Sequence, residues 1–338
     1  MRTLIIGGTG RISTAITRLL AERGHDLTLY NRGNRPPPTD LPVAQIHGDR
    51  RAYDDFEAQM RQAGPFDCVI EMICFTPDDA RSLVRAFRGS AGHVIFTSTV
   101  DVYSNPAPAY PYTEGTSREG ALGGYGQNKV KCEDILFEAD ERGDFPVTII
   151  RPAQTYGEGG GLVHIFGWET RFLDRMRRGM PIIVHGDGSS LWVACHRDDA
   201  AVAFANAAGN EAAFGRAYHV TGEEWMTWDR YHQAIAEGMG WPAPEIVHIP
   251  TDLLLKADPE RSGWLGINFQ FNNIFDNAAA HHDLDFEYTI PWFEGSRRTI
   301  EWLEEHDAID SADGDPAYDR IIKAWRRLGR AMLDELSD

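Results

Sequence analysis

The sequence predicts an α/β fold, in which a doubly wound parallel sheet carries helices on both faces and a smaller C-terminal lobe follows. Two patterns in the first half of the chain predict it. Short, continuously apolar runs, typical of strands buried on both faces, alternate with segments whose apolar residues recur at helical spacing. A glycine-rich loop follows the first apolar run directly and opens the first helix.

Predicted strands and helices alternate along the first half. The strands are residues 3–6, 26–30, 43–46, 68–73, 93–97 and 147–150. The helices between them include residues 12–20, 54–63, 78–88 and 127–142. Beyond them we expect a helix between residues 166 and 178, and then a helix at 198–208 and a strand at 217–220 that return to the first sheet.

The last predicted helix spans residues 317–336. Its apolar residues recur at helical spacing and form one face: Tyr318, Ile321, Ile322, Trp325, Leu328, Met332 and Leu336. We expect this helix to pack on the protein or to join subunits, and not to bind a cofactor.

Composition excludes several classes of partner. The net charge of −18 repels phosphate backbones and anionic membranes, so we expect neither nucleic acid nor membrane as a partner. The four cysteines form no CxxC pair and are expected to be buried free thiols of a reducing compartment. The N-terminal apolar run is too short for a signal or membrane helix, so we expect a cytoplasmic protein.

The glycine loop indicates a dinucleotide site. Gly7 allows a sharp turn after the first strand, and Gly10 allows the backbone to approach a pyrophosphate. The helix that begins near Arg11 and Ile12 offers free N–H groups and the positive end of its dipole. A simple tight turn would explain the same glycines, but the strand–loop–helix context favours a cofactor, NAD or NADP.

The loop after the second strand bears on the choice of cofactor. Asn31 and Arg32 follow this strand with Arg35 close by, and no carboxylate is present to bind a ribose 2′-hydroxyl. This favours NADP over NAD, although a basic loop in solvent explains the same residues. After the third strand, Asp49 either reaches the adenine amino group or caps the next turn.

A phenol and an ammonium define the candidate catalytic centre. Tyr125 and Lys129 are four residues apart and share one face of a predicted helix. A neighbouring ammonium is expected to lower the pKa of the phenol, which could then exchange a proton with a substrate hydroxyl or carbonyl. The strand that ends in Thr97-Ser98-Thr99 adds hydroxyl groups at the sheet edge where α/β proteins bind ligands.

Four blocks in the same order resemble the extended short-chain dehydrogenases/reductases, the NAD-dependent epimerase/dehydratase family. They are GGTGRIS, TSTVDVY, YGQNK and RPAQTYG, and weaker similarity continues to about His306. The resemblance implies that Tyr125 is the acid/base, Lys129 its partner and a ligand of the nicotinamide ribose, and Thr99 the catalytic hydroxyl. It also implies a substrate that is often a sugar nucleotide, and a homodimer through helices 78–88 and 127–142.

The expected organisation follows from the same blocks. Residues 1–156 form a Rossmann domain, completed by segments near 194–220. Residues 157–193 and 221–306 form the substrate lobe, and residues 307–338 form a helical extension. No metal site is expected, because the densest histidine group, His281 and His282, consists of neighbours that point in different directions.

Some positions depart from the family pattern. Trp192 stands where 4-epimerases often have an arginine for the diphosphate, and Gln154 stands where many members have asparagine; both are candidate substrate residues. Val100 cannot protonate a leaving hydroxyl as the acidic residue of 4,6-dehydratases does, and Asp101 either has a function or caps the loop, of which the cap is favoured. The shortening between Cys74 and Gly89 resembles an atypical branch that includes chloroplast stem-loop RNA-binding proteins.

Three functions remain open at this stage. The first is an NAD(P)-dependent enzyme acting on a sugar or sugar nucleotide, foremost an epimerase that passes through a keto intermediate. The second is a dehydrogenase or reductase of another carbohydrate or small carbonyl compound. The third is a dinucleotide-binding regulatory or RNA-associated protein without catalysis, which the atypical features favour and the acidic charge opposes.

Overall fold

The computed structural model describes residues 1–337, which divide into two compact units. The first unit contains Met1–Tyr156, Val193–Glu223 and Ile274–Ile290. The second unit contains Gly157–Trp192, Glu224–Asn273 and the residues from Pro291 onward. No helix within residues 1–337 is both long and apolar enough to cross a membrane.

Strands and helices are numbered along the chain. The strands are β1 (Arg2–Ile6), β2 (Asp26–Asn31), β3 (Ala44–His47), β4 (Cys68–Glu71), β5 (Val94–Thr97), β6 (Val147–Pro152), β7 (Gln154–Tyr156), β8 (Val163–His164), β9 (Gly167–Trp168), β10 (Ile182–His185), β11 (Leu191–Trp192), β12 (Ala194–His196), β13 (Arg216–Val220), β14 (Met226–Thr227) and β15 (Ile246–Ile249). The helices are α1 (Arg11–Glu22), α2 (Tyr53–Ala63), α3 (Pro77–Phe87), α4 (Gly123–Glu141), α5 (Arg171–Arg177), α6 (Arg197–Ala207), α7 (Trp228–Met239), α8 (Thr251–Ala257), α9 (Ala278–Leu284), α10 (Trp292–Glu305) and α11 (Pro316–Leu336).

The first unit is built on a seven-stranded parallel sheet in the order β13-β6-β5-β4-β1-β2-β3. Successive side chains of each strand enter opposite cores. Ile5 and Ile70 belong to the core that includes residues of α1 and α6, whereas Leu4 and Val69 belong to the core that includes residues of α2, α3 and α4. The fold is therefore the predicted doubly wound α/β sheet of Rossmann type. Its strand order reverses between β1 and β4, which is where such sheets bind ligands.

Two predicted helices have different bounds in the structure. The helix expected at 127–142 already begins at Gly123, so Tyr125 lies in its first turn. The helix expected between 166 and 178 spans only Arg171–Arg177, because the chain first forms the β8–β9 hairpin, in which Gly167 pairs with His164 at a φ of +96°.

One segment clusters differently from the expected organisation. Residues 274–290 were assigned to the substrate lobe, but they belong to the first unit. The reason is local packing: the rings of Phe275 and Tyr112 stack with centroids 5.1 Å apart, and the Tyr112 N–H donates to the carbonyl of Ile274 over 2.8 Å. Conversely, α11 clusters with the second unit.

Candidate cofactor and active site

The glycine loop after β1 is held in one conformation. Gly7 has a φ of +91°, and a Cβ on it would meet Cγ2 of Ile73 at 2.8 Å, so a side chain is excluded there. The Ser13 hydroxyl donates to the Gly7 carbonyl over 2.6 Å and accepts from the Gly10 N–H over 2.8 Å. Helix α1 follows at once with Arg11 and Ile12 as its first residues, and first-turn N–H groups have no partner within a helix.

A cavity of about 700 Å³ adjoins this loop. Of the predicted cofactor residues, Gly7, Gly10, Asn31, Arg32 and Asp49 line it. Arg11, Ile12 and Lys129 are not among its lining residues, and burial together with the positive charge of Arg197 lowers the pKa of Arg11. The loop, the strand ends and the basic residues thus surround one space of the size that a small ligand needs.

Several buried polar atoms at this cavity have no hydrogen-bond partner in the structure. They are the Tyr30 hydroxyl, Nδ2 of Asn31 and Nη1 of Arg50. The other side-chain atom of Asn31, Oδ1, accepts from the Gly33 N–H over 2.7 Å and so fixes the amide. Because unpaired buried polar groups are costly, these atoms fit a polar ligand such as a dinucleotide.

The far rim of the cavity is basic. Arg32, Arg35 and Arg51 line it and are exposed. Asp49 is the only acidic residue in the lining, and its Oδ1 accepts from the Arg51 N–H over 2.9 Å. Asp49 therefore caps this turn, which is one of the two interpretations that the sequence left open. Its carboxylate also borders the cavity.

Sequence reasoning missed the buried ion pair behind this rim. Nε of Arg50 donates to Glu71 over 2.9 Å, and its Nη2 donates to the carbonyl of Asp79 over 2.8 Å. Glu71 also accepts from the Ile73 N–H over 2.8 Å, which ends β4 two residues earlier than predicted. An arginine followed by a glutamate 21 positions later carries no local signal of pairing.

Thr99 and Tyr125 come together at the carboxyl end of β5. Thr99 follows this strand and is buried, and helix α4 presents Tyr125 from its first turn beside the Thr99 hydroxyl. The Thr99 hydroxyl also donates to Oδ2 of Asp101 over 3.1 Å and accepts from the Asp101 N–H over 3.2 Å. Thr99, rather than Asp101, is thus the cap of the short 3₁₀ turn at Val100–Val102.

Lys129 is buried beneath the same helix. Its ammonium donates to the carbonyl oxygens of Cys74 over 2.8 Å and Thr97 over 2.7 Å, and it lies 5.8 Å from the centroid of the Tyr125 ring. Burial lowers its pKa. An ammonium has three donors, so these two carbonyls leave one for a further acceptor.

The pKa of Tyr125 moves opposite to the direction expected from its spacing to Lys129. Desolvation raises the pKa of the phenol although the Tyr125 side chain as a whole is 37% exposed, the carboxylate of Asp101 raises it further, and the neighbouring Thr99 hydroxyl offsets only part of that rise. Lys129 makes no comparable contribution, because its ammonium is directed to backbone carbonyls. In this state Tyr125 is therefore a protonated phenol, a proton donor.

The carboxyl group of Asp101 has a shifted pKa that the sequence did not indicate. Burial raises the pKa of its carboxyl to about 6, against which the hydrogen bond from Thr99 acts. It therefore titrates close to neutrality beside Thr99 and Tyr125. Only the burial of this turn, which depends on distant segments, could have indicated this.

A buried network holds helix α4 against the sheet. Arg151 in β6 donates to both carboxylate oxygens of Glu133, over 2.9 and 2.7 Å, and to the Tyr103 hydroxyl over 2.7 Å. The Ser98 hydroxyl donates to the same glutamate. Glu133 lies one turn beyond Lys129, so this network fixes the helix that carries Tyr125 and Lys129.

The two candidate substrate residues lie in different units. Gln154 in β7 is nearly buried in the first unit. Trp192 is 5% exposed in the second unit. The centroid of its ring lies 5.1 Å from that of Trp228 and 5.0 Å from that of Phe269. Core packing thus accounts for most of the Trp192 ring surface, and a role in substrate binding stays a prediction for both residues.

Comparison with known proteins finds a family match over part of the chain. Residues 79–221 match the model of the NAD dependent epimerase/dehydratase family, and this stretch contains Thr99, Tyr125 and Lys129. The chain resembles this family over that stretch. Its resemblance to the extended short-chain dehydrogenases/reductases, stated from the sequence blocks, is thereby confirmed. The matched family and the named relatives are NAD-dependent enzymes, and this protein is an enzyme of that kind.

The relatives of this chain differ in the activity that their names describe. The chloroplast stem-loop binding protein of 41 kDa b from Arabidopsis thaliana is 29% identical over 73% of this chain, and the match spans 65% of that protein, slightly under two thirds. The 2′-dehydrokanamycin reductase of Streptomyces kanamyceticus is 26% identical over 82% of this chain and 77% of its own. A UDP-glucose 4-epimerase structure from Bifidobacterium longum with NAD⁺ and UDP superposes with a TM-score of 0.73 at 18% identity, covering 92% of this chain and 100% of that one.

Proposed function

We propose that this protein is an NAD(P)-dependent enzyme that oxidises or reduces a carbohydrate at a hydroxyl or carbonyl carbon. One observation carries the proposal: Tyr125 lies beside the buried hydroxyl of Thr99 and 5.8 Å from the buried ammonium of Lys129, which retains one donor. This arrangement can hold and protonate one substrate oxygen. The cavity at the glycine loop, in the same unit, supplies the space for a dinucleotide.

The chain's own residues account for cofactor binding in this proposal. Gly7 and Gly10 let the loop approach a pyrophosphate, and the N–H groups at Arg11 and Ile12 stabilise its charge. Asn31 and Arg32 bind the adenosine end, and the remaining donor of Lys129 binds the nicotinamide ribose. When bound, the nicotinamide accepts or donates the hydride.

Tyr125 and Thr99 handle the proton. In reduction, the phenol of Tyr125 donates its proton to the carbonyl oxygen while the Thr99 hydroxyl binds the same oxygen. In oxidation the proton returns to Tyr125, which must then be a phenolate. Because Asp101 disfavours that phenolate, protonation of Asp101 assists the oxidative direction.

Epimerisation through a transient ketone is the first form of this chemistry that we propose, since a single Tyr–Thr pair serves both its oxidation and its reduction step. The UDP-sugars named with the structural neighbours suggest a sugar nucleotide as substrate. Net reduction is the second form. It is favoured by the protonated Tyr125 and by the similarity to the 2′-dehydrokanamycin reductase of Streptomyces kanamyceticus.

An assay with nucleotide sugars and with keto-sugars distinguishes the two forms. The protein is supplied with NAD⁺ or NADPH, products are separated by chromatography, and the nicotinamide absorbance is followed. Interconversion of epimers without a net change in absorbance supports an epimerase, and stoichiometric loss of NADPH supports a reductase. If Tyr125→Phe converts substrate as fast as the wild type, the proposed chemistry is wrong.

The basic rim supports NADP as the preferred cofactor. Arg32 and Arg35 are exposed beside the cavity and could pair with a 2′-phosphate, which NAD lacks. We expect Arg32→Ala with Arg35→Ala to weaken NADPH binding at least tenfold and to leave NADH binding unchanged. Arg81→Ala, an exposed arginine of α3 outside the cavity, is the control. Equal weakening for both cofactors would contradict the preference.

The name of the Arabidopsis relative supports a competing hypothesis, an RNA-associated protein. The charge of −18 opposes it, since RNA binding is driven by phosphate contacts. A gel shift with a stem-loop RNA at physiological salt tests it, and tight binding would contradict our proposal.

The four cysteines are free and buried, which suits a reducing compartment, and we propose a cytoplasmic enzyme on that ground.

A further inference from the structure

Aromatic rings surround the ammonium of Lys129. It lies over the ring of Phe75 at 5.0 Å from the centroid, over that of Phe96 at 4.7 Å, and over that of Tyr125 at 5.8 Å. The face of an aromatic ring attracts a cation at such distances, so the three rings and the two backbone carbonyls hold the ammonium together. Lys129 is consequently only 1% exposed.

Phe75 is the ring of these three that also borders the cofactor cavity. It lines the cavity and is 39% exposed, whereas neither Phe96 nor Tyr125 lines it. Lys129 does not line the cavity either. The ammonium to which the proposed function assigns the nicotinamide ribose is thus covered, and Phe75 contacts both the ammonium and the space for the dinucleotide.

The backbone that carries Phe75 is fixed on both sides. The N–H groups of Phe75 and Thr76 both donate to Oδ2 of Asp79, each over 2.9 Å, and the Thr76 hydroxyl caps α3. On the other side, the carbonyl of Cys74 accepts from Lys129 over 2.8 Å. An exposed side chain, by contrast, changes rotamer within nanoseconds. The ring of Phe75 can therefore turn while its backbone stays in place.

We propose that Phe75 is a gate between the cofactor cavity and Lys129, and that its ring turns aside when the nicotinamide half of a dinucleotide binds. Turning exposes the third donor of the ammonium, and a ribose oxygen replaces the cation–π contact that is lost. The adenosine half, which the proposed function places at Asn31 and Arg32, does not require this movement. The inference rests on the proposed function, because it names the residue that controls the access of its cofactor to Lys129.

Amine labelling of the full chain, with no nucleotide added, tests whether the ring covers the ammonium. The protein is treated with acetic anhydride, and acetylation of Lys129 is compared by mass spectrometry with that of Lys131, an exposed lysine of the same helix. We expect Lys129 to react about fivefold faster or more in Phe75→Ala than in the wild type, and at the wild-type rate in Phe75→Tyr, which keeps a ring. Phe293→Ala is the control, because it removes a ring of similar exposure from α10.

Binding kinetics test whether this cover is a gate for the cofactor. Association of NADPH and NADH is followed by stopped-flow fluorescence, and the affinities of their adenosine halves, adenosine 2′,5′-bisphosphate and AMP, are measured by calorimetry. A site that must open first binds more slowly and less tightly than an open one. We expect Phe75→Ala to raise the association rate constant of the dinucleotide by about fivefold or more, and to leave the affinity of the adenosine half within about twofold.

Thermal unfolding of each variant establishes that it is folded, which is expected because Phe75 is partly exposed. Equal labelling of Lys129 in Phe75→Ala and the wild type would overturn the gate. So would a wild type that binds a dinucleotide beside a Phe75→Ala variant that binds it no faster or less tightly, since weaker binding would show that the ring packs on the cofactor. A wild type that binds neither dinucleotide would contradict the proposed function itself, and the gate with it.

Discussion

The backbone carbonyl of Asp101 lies where a side chain on Gly126 would be. A Cβ at Gly126 would approach this oxygen to 2.2 Å. The Leu122 N–H donates to the same carbonyl over 2.9 Å. The first turn of α4 thus packs directly on the 3₁₀ turn after β5, and this close approach brings Tyr125 to Thr99.

The first prediction concerns this contact. We expect Gly126→Ala to lower the free energy of unfolding by about 1–3 kcal/mol, because the methyl group forces the helix away from the turn. It should also lower kcat at least tenfold by separating Tyr125 from Thr99. Gly124→Ala is the control on the same turn, since a Cβ there meets nothing within 4 Å. Denaturant titration and steady-state kinetics measure both effects; equal behaviour of the two variants would contradict the packing argument.

The second prediction concerns the proton donor. Tyr125→Phe should lower kcat by about 10²–10⁴-fold, the usual contribution of a positioned acid or base, and leave cofactor affinity within twofold. Tyr110→Phe is the matched control, because Tyr110 is 38% exposed and Tyr125 is 37% exposed. The loss should be in kcat and not in KM alone. A variant that loses cofactor binding instead would point to a structural role for the tyrosine.

The third prediction concerns Asp101 and pH. Its carboxylate raises the pKa of Tyr125, so Asp101→Asn should shift the alkaline limb of the oxidation profile to lower pH. Its own folded-state pKa of about 6 lies above the unfolded value, so ionisation destabilises the fold as pH rises through that range. From pH 4 to 7 the wild type should lose roughly 1–3 kcal/mol relative to Asp101→Asn. Parallel stability profiles would contradict the burial of this carboxyl.

The fourth prediction concerns the anchor of α4. Glu133→Gln leaves the buried guanidinium of Arg151 without its counter-charge and should lower the free energy of unfolding by about 3–5 kcal/mol. Glu138→Gln on the same helix removes an exposed carboxylate that is 3.8 Å from Arg142, and should change stability by less than about 1 kcal/mol. Urea titrations compare the two, and similar losses would show that Glu133 is not the anchor.

Local patterns in the sequence predicted the sheet and much of the site. Continuous apolar runs marked the strands, and the spacing of Gly7, Gly10, Tyr125 and Lys129 marked the loop and the helix face, since each signal lies within a few neighbouring residues. The placement of Thr99 depended on resemblance to a family, because several hydroxyl residues end the same strand.

Features that depend on packing between distant segments were not predictable. The Arg151–Glu133 pair, the contact of Gly126 with Asp101 and the burial of Asp101 each join elements that only the folded sheet brings together. The same reason explains the error over the pKa of Tyr125. Spacing put Lys129 on the correct helix face, but the carbonyls of Cys74 and Thr97 that hold its ammonium lie 55 and 32 residues away.

Native mass spectrometry tests the central claim most directly. The protein is measured as purified and again after equimolar NAD⁺ and NADP⁺ are added, beside Gly7→Val, which places a branched side chain at a φ of +91°. We expect one nicotinamide dinucleotide per wild-type chain and none on the variant. A dinucleotide retained through purification favours the epimerase, and one acquired only on addition favours the reductase. A wild-type chain that binds neither cofactor would contradict the account.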